Sequence, residues 1–408
     1  MKPLLRRIIA SLFERQVRRV IARHHLTVVA VAGSVGKTTT KQAIATVLSE
    51  KYQVLVHPGN YNSELGLPLS VFELTVPASL LNPFAWIWRL VQAGRRVRNY
   101  PYQVLVLELA TDHPGEIPRY LRYLTPDIGV LTALTPEHME NFPGGLDEVA
   151  AEEMALAGAS KILVLNDDAV PQKYQDQYLG DHPSVLKYGH KIGGNHPSNP
   201  QILGDHMRLA LDAAALVARQ LKLTPHQIQA GIERVRPVSG RMNPLPGING
   251  TVIIDDTYNS SPEAIVAALT ALASYPASGR RIAILGSMNE MGSASPRYHE
   301  EAGVAAAGVD LLVTIGALAN TYLGPAAVNA GLDPTRWKPA DSPYVAGAFL
   351  GLLLQPGDVV LAKGSQNGVF AEEAVKLLLA DPADAAHLVR QSPAWLRTKR
   401  AQFPDAQG

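Results

Sequence analysis

The chain has 408 residues, of which 47% are apolar and 18% charged, and this composition excludes a disordered, collagen-like or coiled-coil chain as a whole. The length predicts two or three domains. The net charge of +1 gives no global field for binding nucleic acid. Because cysteine is absent, disulfides, thiolate nucleophiles and cysteine-ligated metals are excluded. No apolar run predicts a transmembrane helix, and we expect no cleaved signal peptide.

Residues 1–25 predict a basic amphipathic helix. Seven basic residues oppose only Glu14, and nine apolar residues recur at three- and four-residue spacing, which is the period of a helix face. Two interpretations stay open at this point. The helix either packs on the surface of the next domain or lies on an anionic membrane surface.

A buried-strand pattern at residues 27–33 leads directly into a glycine-containing turn and then a helical pattern. This order is typical of a phosphate-binding loop, whose backbone N–H groups face the phosphates. In such a loop Lys37 reaches the terminal phosphates and the Thr38 hydroxyl holds Mg²⁺. Val31 stands where the longer form of the pattern has its first glycine, so the chain carries the shorter Gly-x-x-Gly-Lys-Thr form.

Three further buried strands are predicted at residues 102–109, 127–132 and 161–166. Their alternation with helical patterns predicts a parallel α/β sheet, in which ligands bind beyond the carboxyl ends of the strands. Glu108 stands at the end of one strand and His138 follows another. Glu108 is therefore a candidate Mg²⁺ ligand.

A Trp- and Arg-rich insertion at about residues 76–100 lies between the strand pattern at 27–33 and the one at 102–109. It holds Trp86, Trp88 and four arginines, with no acidic residue between positions 78 and 98. This composition suits a segment at a membrane interface. An ordinary amphipathic helix with its aromatic side chains in the core explains it equally well.

The second half of the chain repeats the α/β pattern. A helical stretch is predicted at about residues 206–235, and residues 237–250, rich in glycine and proline, predict a linker. Four more strand patterns follow, at 251–256, 281–286, 311–316 and 358–365. We therefore predict three segments: 1–25, the basic helix; 26–236, a central domain; and 237–408, a C-terminal domain.

Several motifs in a fixed order carry a family resemblance over about residues 26–380. They are Gly33–Thr39, Gly59–Pro68, Glu108–Ile117, His138 with Glu140, Gly240-Arg241, Asp255–Asn259, Gly286–Gly292, His299 and Lys363-Gly364-Ser365. In this combination the chain resembles the Mur ligase family, and most closely the branch that adds D-alanyl-D-alanine to a muramyl tripeptide.

The resemblance implies an α/β fold with a P-loop parallel-sheet central domain and a Rossmann-like C-terminal domain. It also implies an ATP- and Mg²⁺-dependent amide ligase that forms an acyl phosphate and adds an amino acid or D-Ala-D-Ala to a peptidoglycan-precursor carboxylate. We expect small-molecule or lipid-linked partners and no nucleic acid. The implied location is cytoplasmic, with a peripheral contact to the inner face of the membrane, through residues 1–25 and 78–98, as the alternative.

The resemblance also assigns roles to individual residues. The residues implied to contact ATP are Gly33, Ser34, Val35, Gly36, Lys37, Thr38, Thr39, Arg241 and Asp256. The residues implied to bind metal are Thr38, Glu108, His138 and Glu153. The residues implied to contact the substrates are Asn60, Asn62, Glu64, Asn259, Lys363 and Ser365. Lys37, Glu108, His138, Glu153 and Arg241 are the implied catalytic set, with Arg241 on the γ-phosphate and Asp256 on the ribose.

Four departures from the family pattern bear on substrate and cofactor. We expect the uridine-nucleotide-binding domain to be absent, which suits a lipid-linked or polymeric acceptor. Glu153, or its neighbour Glu152, takes the place of a carbamylated lysine. Met207 and Ala210 replace two asparagines near the adenine. Ser287 and Gln366 stand where an aspartate and often an arginine occur, which leaves the amine open.

Two alternatives to the leading function therefore remain. One is a ligase acting on a non-uridine acceptor, such as a poly-γ-glutamate-like chain or a lipid-linked muropeptide. The other is an ATP-binding but inactive scaffold in an envelope complex. The missing asparagines and lysine favour the scaffold, whereas Lys37, Thr38 and Glu108 favour the enzyme.

Overall fold

The chain forms two compact units in the computed structural model, which describes residues 3–57, 64–77, 79–136, 140–189, 197–289 and 291–404. Unit 1 comprises residues 1–199 and 208–235, and unit 2 comprises residues 200–207 and 236–408. Each unit contains a sheet with helices in the connections between its strands.

The strands of unit 1 are β1 (Thr27–Ala32), β2 (Val54–Val56), β3 (Val104–Glu108), β4 (Ile128–Leu131), β5 (Ile162–Asn166) and β6 (Val185–Tyr188). Among the described residues they form one parallel sheet with the order β2-β3-β1-β4-β5-β6. The central strands consist mostly of apolar, largely β-branched residues that are almost fully buried, as a covered parallel sheet requires. The sheet confirms the predicted α/β fold.

The helices of unit 1 are α1 (Pro3–His24), α2 (Lys37–Leu48), α3 (Gly66–Ser70), α4 (Pro83–Arg98), α5 (Glu116–Leu121), α6 (Leu146–Ala159), α7 (Gln172–Tyr178), α8 (Asp205–Gln220) and α9 (Pro225–Arg234). The first turn of α8 belongs to unit 2. α9 begins with a capping box, in which Thr224 and Gln227 satisfy each other's backbone N–H groups, an arrangement that fixes the start of a helix.

The N-terminal helix α1 packs against the rest of unit 1. Phe13, Val17 and Val20 are fully buried, and they repeat at the spacing of one helix face. The ring of Phe13 meets that of Trp86 on α4 edge to face, with 6.4 Å between centroids. Of the two interpretations of α1, the structure therefore supports packing on the rest of unit 1 for the face that carries Phe13, Val17 and Val20. In the described part of the chain, no helix is long and apolar enough to cross a membrane.

The strands of unit 2 are β7 (Asn243–Gly247), β8 (Thr251–Asp256), β9 (Arg281–Gly286), β10 (Leu311–Ile315), β11 (Trp337–Ala340) and β12 (Val359–Lys363). Their order among the described residues is β11-β10-β9-β12-β8-β7, and only the β7–β8 pair is antiparallel. The linker predicted at 237–250 is therefore wrong in part, because β7 forms the edge of this sheet. Its two prolines suit an edge strand, which needs fewer backbone donors.

The helices of unit 2 are α10 (Pro262–Ser274), α11 (Ser295–Ala306), α12 (Gly324–Asn329), α13 (Pro343–Gly351), α14 (Glu372–Leu378) and α15 (Pro393–Gln402). Three of them begin with a proline that follows an N-cap serine. In each, the serine hydroxyl accepts a backbone N–H in the first turn, and the proline occupies the first helical position. Serine caps a free N–H and proline needs none there, so the sequence itself sets these starts.

Candidate functional site

The loop between β1 and α2 has the geometry of an anion site. Gly33 has a φ of 126°, and a Cβ atom at this position would lie 2.4 Å from the Thr132 hydroxyl oxygen. Gly36 has a φ of 87° and precedes the first residue of α2. Both positions therefore require glycine. The loop leads into the N-terminus of a 12-residue helix, where free backbone N–H groups favour a phosphate.

Side chains from β3 and α2 meet beside this loop. The Thr38 hydroxyl lies 3.0 and 3.1 Å from the two carboxylate oxygens of Glu108. The Lys41 ammonium lies 3.1 Å from Oε2 of the same carboxylate, and both side chains are essentially inaccessible to solvent. We call Thr38, Lys41 and Glu108 the loop cluster. Lys41 is therefore the cationic partner of a carboxylate that has almost no contact with water, as a buried carboxylate requires.

Lys37 and Ser34 form part of the loop itself. The Lys37 ammonium donates to the backbone carbonyl of Ser34 at 2.9 Å. The Ser34 hydroxyl donates to the carbonyl of Thr135 and accepts the N–H of the same residue, at 2.9 and 3.0 Å. These bonds join the loop to the segment that follows β4. Lys37 as a whole residue is half-buried and opens α2, next to the loop.

The two glutamates of α6 that were considered for the metal lie in different surroundings. The buried Glu153 accepts the N–H of Gly33 on Oε2 at 2.6 Å, so its carboxylate lies at the phosphate loop. Glu152 accepts the N–H groups of Gly115 and Ile117 at 2.7 and 2.6 Å. Burial raises the pKa of Glu152. Because both of its oxygens hold the start of α5, Glu152 has a structural role.

The donor set around the loop fits Mg²⁺ and a nucleotide phosphate. Thr38 and Glu108 offer oxygen atoms, which Mg²⁺ prefers, and a Mg²⁺ site usually needs only one or two protein ligands besides phosphates and water. Among the described residues, no group of three or more His, Asp or Glu side chains could hold a metal by itself. His138, predicted as a second ligand, lies outside the described residues.

The predicted acceptor-side residues are only partly described. Asn60 and Asn62 lie outside the described residues. Glu64 is close to two arginines: its Oε1 lies 2.7 Å from Arg119 on α5, and its Oε2 lies 2.9 Å from Arg6 on α1. The structure thus shows Glu64 joining three segments of unit 1, and its contact with a substrate stays a prediction.

Unit 2 contains its own buried ion pair at the end of its sheet. The Lys363 ammonium, at the end of β12, lies 2.6 Å from Oδ2 of Asp256, at the end of β8. It also donates to the carbonyl of Asn259 at 3.1 Å. The other oxygen of Asp256 accepts the N–H of Met242 at 3.2 Å. The structure therefore brings together Asp256, Asn259 and Lys363, and their contacts with the ribose and the amine substrate stay predictions.

Asp255 and Arg241 organise the turn next to this pair. The fully buried Asp255 accepts the N–H of Gly240 at 2.9 Å and the hydroxyl of Thr257 at 2.6 Å. Burial raises the pKa of Asp255 to about 6, although these hydrogen bonds act in the opposite direction. The guanidinium of Arg241 lies over the ring of Tyr258, 4.3 Å from its centroid. A cation–π contact of this kind fixes the direction of the arginine.

The remaining motif residues of unit 2 hold backbone. The Ser365 hydroxyl is buried and donates to the carbonyl of Ser287 at 2.7 Å. His299 is also buried; its Nε2 accepts the N–H of Met288 at 2.9 Å and its Nδ1 lies 2.7 Å from the carbonyl of Ser295. Burial lowers the pKa of His299, which keeps the ring neutral and Nε2 able to accept. Substrate binding by Ser365 stays a prediction.

Lys41 is the residue of the loop cluster that sequence reasoning missed. It lies three residues after Thr38, so both side chains project from one face of α2 towards Glu108. The signal was present in the sequence: a lysine among Ala, Ile and Val in a helix next to a buried strand needs a buried partner.

Comparison with known proteins identifies the family. A model of the Mur ligase middle domain matches residues 31–80 and 88–206, and a model of the Mur ligase glutamate ligase domain matches residues 240–366. Together they cover more than half of the chain, so the chain belongs to the Mur ligase family, as its motifs indicate. Mur ligases use ATP to form carbon–nitrogen bonds, and the chain is an ATP-dependent ligase of this type.

Relatives within the family are about a quarter identical in sequence to the chain over the aligned residues. The UDP-N-acetylmuramoyl-tripeptide–D-alanyl-D-alanine ligase of Synechocystis is 29% identical over 377 residues, covering 88% of this chain and 76% of the relative. The Escherichia coli ligase of the same name is 26% identical over 317 residues, covering 71% and 64%.

Solved structures show the same fold. The MurF ligase of Thermotoga maritima, crystallised with ADP, gives a TM-score of 0.71 at 25% identity and covers 90% of this chain and 83% of its own. MurF from Acinetobacter baumannii gives 0.71 at 22% identity, covering 93% and 80%, which supports the fold alone. The ADP complex of the first indicates that this chain also uses ATP.

Proposed function

We propose that the protein adds D-alanyl-D-alanine, or a single amino acid, to the carboxylate of a muramyl-peptide precursor, with Mg²⁺ and ATP. The Synechocystis and Escherichia coli relatives both carry the name of a ligase that joins D-alanyl-D-alanine to a UDP-linked muramyl tripeptide. A UDP-linked acceptor is therefore the first one to test, and a lipid-linked acceptor is the second.

The observation that carries the proposal is the loop cluster beside the phosphate loop. Thr38 and Glu108 lie 3.0 Å apart at the carboxyl end of β3, which is where ligands bind in parallel sheets. Lys37 follows the same loop, and its ammonium donates to the carbonyl of Ser34 in the loop. In the proposed reaction Thr38 and Glu108 hold Mg²⁺, and Lys37 binds the β- and γ-phosphates. Bound Mg²⁺ would neutralise phosphate charge that otherwise repels the substrate carboxylate.

The proposed reaction proceeds in two displacements. An oxygen of the acceptor carboxylate attacks the γ-phosphorus, and the bond between that phosphorus and the β,γ-bridging oxygen breaks, so ADP leaves. The amine then attacks the acyl carbon, loses a proton, and expels phosphate that retains the carboxylate oxygen. Lys37 and the loop N–H groups stabilise the charge on the transferring phosphoryl group, which is the main contribution a protein makes to this chemistry.

Residues of unit 2 have proposed roles towards the nucleotide and the amine. Arg241, fixed over Tyr258, is proposed to contact the γ-phosphate, and Asp256 the ribose. Asn259, Lys363 and Ser365 are proposed to face the amine substrate. Because Lys363 and Asp256 are paired in a buried site, we expect each to act partly by holding the other in place.

Release of phosphate from ATP tests the proposal. The assay contains Mg²⁺, D-Ala-D-Ala and either the UDP-linked or the lipid-linked muramyl tripeptide. We expect release that depends on both acceptor and amine, and Lys37→Ala should lower the rate about 100- to 1,000-fold, the effect of losing one preorganised charge contact. Release with the lipid-linked form alone would show that the acceptor is membrane-bound. No release with either acceptor, in a protein that binds ATP, would contradict the proposed substrate class.

Glu153 has its own test, because the structure places it against Gly33. If its charge serves the metal, Glu153→Gln and Glu153→Ala should both raise the Mg²⁺ concentration needed for half-maximal rate, by about tenfold as for loss of an outer metal partner. Glutamine still accepts the N–H of Gly33, whereas alanine does not. An unchanged Mg²⁺ requirement in Glu153→Gln, with a slower Glu153→Ala, would show that the residue only anchors the loop.

A further inference from the structure

A set of large apolar side chains lies exposed on two helices of unit 1. On α1 it contains Leu5, Ile8 and Leu12, and on α4 Phe84, Ile87, Trp88 and Val91. We call this set the α1/α4 face. Phe84 is 78% exposed and Trp88 is 52% exposed. Several large apolar side chains grouped on neighbouring helices mark an interaction surface rather than scattered surface residues.

Two contacts show that α1 and α4 run side by side in the same direction. Phe13 meets Trp86 through their rings, and eleven residues further along each helix, Nε2 of His24 lies 2.9 Å from the carbonyl of Val97. Because Phe13 is level with Trp86, the exposed apolar side chains run along the pair from the first half of α1 to the first half of α4. Trp86 and Ala93 bury the inner side of α4, which leaves the α1/α4 face outside.

The second half of each helix is basic. Arg15, Arg19 and Arg23 of α1 and Arg95 and Arg98 of α4 are exposed. Glu14 is the one acidic residue in the two helices, and it pairs with Arg119 on α5. Among the described residues Arg15, Arg19 and Arg23 form no ion pair. Arg95 lies over the ring of Trp88, 5.5 Å from its centroid, and so connects the basic second half of α4 with its apolar first half.

We propose that the α1/α4 face binds the surface of an anionic lipid bilayer, with the apolar side chains among the lipid tails and the arginines at the phosphates. Anionic bilayers bind protein surfaces that combine exposed aromatic and aliphatic residues with arginines that have no acidic partner. The exposed side chains take no part in the core of unit 1, so binding requires no unfolding. The proposal extends the proposed function and does not depend on it.

The α1/α4 face also lies mostly outside the part of the chain that matches the family. The model of the middle domain begins at residue 31 and leaves out residues 81–87. These excluded segments contain all of α1 and the first turn of α4, with Phe84 and Ile87. The chemistry shared by the family therefore does not account for the exposed apolar residues.

Vesicle flotation of the full chain tests the proposal without ATP or substrate. The probes are vesicles of phosphatidylcholine and vesicles that also contain phosphatidylglycerol. We expect at least tenfold more protein on the anionic vesicles at low salt and less at high salt. Phe84→Ser with Trp88→Ser should abolish binding. Arg15→Gln with Arg19→Gln should weaken it roughly thirtyfold.

The matched control is Val304→Ser with Leu352→Ser, which removes two side chains of unit 2 that are 57% and 89% exposed. It should float as the wild type does. Since all the substituted residues are exposed, the thermal unfolding temperature of each variant should match that of the wild type. Lipids with brominated tails should quench part of the tryptophan fluorescence of the wild type but not of the Trp88→Phe variant, because Trp86 is buried.

Two results would overturn the proposal. One is a failure of the wild type to float with anionic vesicles at low salt. The other is a dimer in analytical ultracentrifugation that Phe84→Ser with Trp88→Ser converts to monomer while vesicle binding persists, since a second copy of the chain would then cover the face.

Discussion

The two units each bury a lysine–carboxylate pair at the carboxyl ends of parallel strands, but they build it differently. In unit 1 the carboxylate is on a strand, Glu108 on β3, and Lys41 comes from the helix after the phosphate loop. In unit 2 both partners are on adjacent strands, Asp256 on β8 and Lys363 on β12, in direct register. The first pair thus depends on how α2 packs, and the second on strand pairing alone.

The two lysines also differ in what they hold in place. Glu108 is also bonded to Thr38, so Lys41 can hold a carboxylate beside the phosphate loop while leaving an oxygen next to Thr38, where the proposed Mg²⁺ would bind. Lys363 instead reaches the carbonyl of Asn259 and holds the turn after β8. Charged partners in low dielectric stabilise each other only with such additional hydrogen bonds.

The largest expected effect is that of Lys41→Met. This change leaves the Glu108 carboxylate buried without a cation, and the free energy of unfolding should fall by about 3–5 kcal/mol. Chemical denaturation monitored by circular dichroism measures it. The double variant with Glu108→Gln should recover part of the loss, because the unpaired charge is then removed. A loss below 1 kcal/mol in the single variant would show that the pair is not buried in solution.

Lys363→Met should have a smaller effect, about 3 kcal/mol. The Asp256 side chain is 6% exposed, against 1% for Glu108, and it retains the N–H of Met242. The same denaturation series, run beside Lys41→Met, makes the comparison. An effect larger than that of Lys41→Met would reverse the ranking of the two pairs.

Asp255 provides a pH-dependent effect confined to unit 2. Burial raises its pKa from 3.8 to about 6 in the folded chain, so the folded state holds a proton that the unfolded state has lost. Stability from this group is present below about pH 4 and is lost as the pH rises through 6. Relative to Asp255→Asn, the wild type should lose about 2 kcal/mol between those values. A flat or rising difference would contradict the raised pKa.

The inner strands of both sheets could be predicted from the sequence, whereas the edge strands could not. The eight predicted strand patterns correspond to β1, β3, β4, β5, β8, β9, β10 and β12, which are continuous apolar runs because neighbours cover them. The four strands missed are β2, β6, β7 and β11, and they form both edges of both sheets. These edge strands are short, and three of the four contain proline or lysine, as in the WKPA of β11, so periodicity does not reveal them.

The candidate site could be predicted where a motif ties chemistry to a turn. The phosphate loop, Thr38 and Glu108 follow from local sequence order. Lys41 did not follow, since its partner is 67 positions away, and only the packing of α2 against β3 shows that they meet. The two tryptophans of α4 illustrate the same limit: Trp86 is buried and Trp88 exposed, so each of the two interpretations of that segment describes one of them.

The central claim is that the protein forms an acyl phosphate on its acceptor. It is tested most directly with an acceptor whose reacting carboxylate carries ¹⁸O. One turnover with ATP, Mg²⁺ and D-Ala-D-Ala should transfer one ¹⁸O atom to the released phosphate, as mass spectrometry detects, and Lys37→Ala should release little phosphate of either kind. Product formation with unlabelled phosphate would contradict the account.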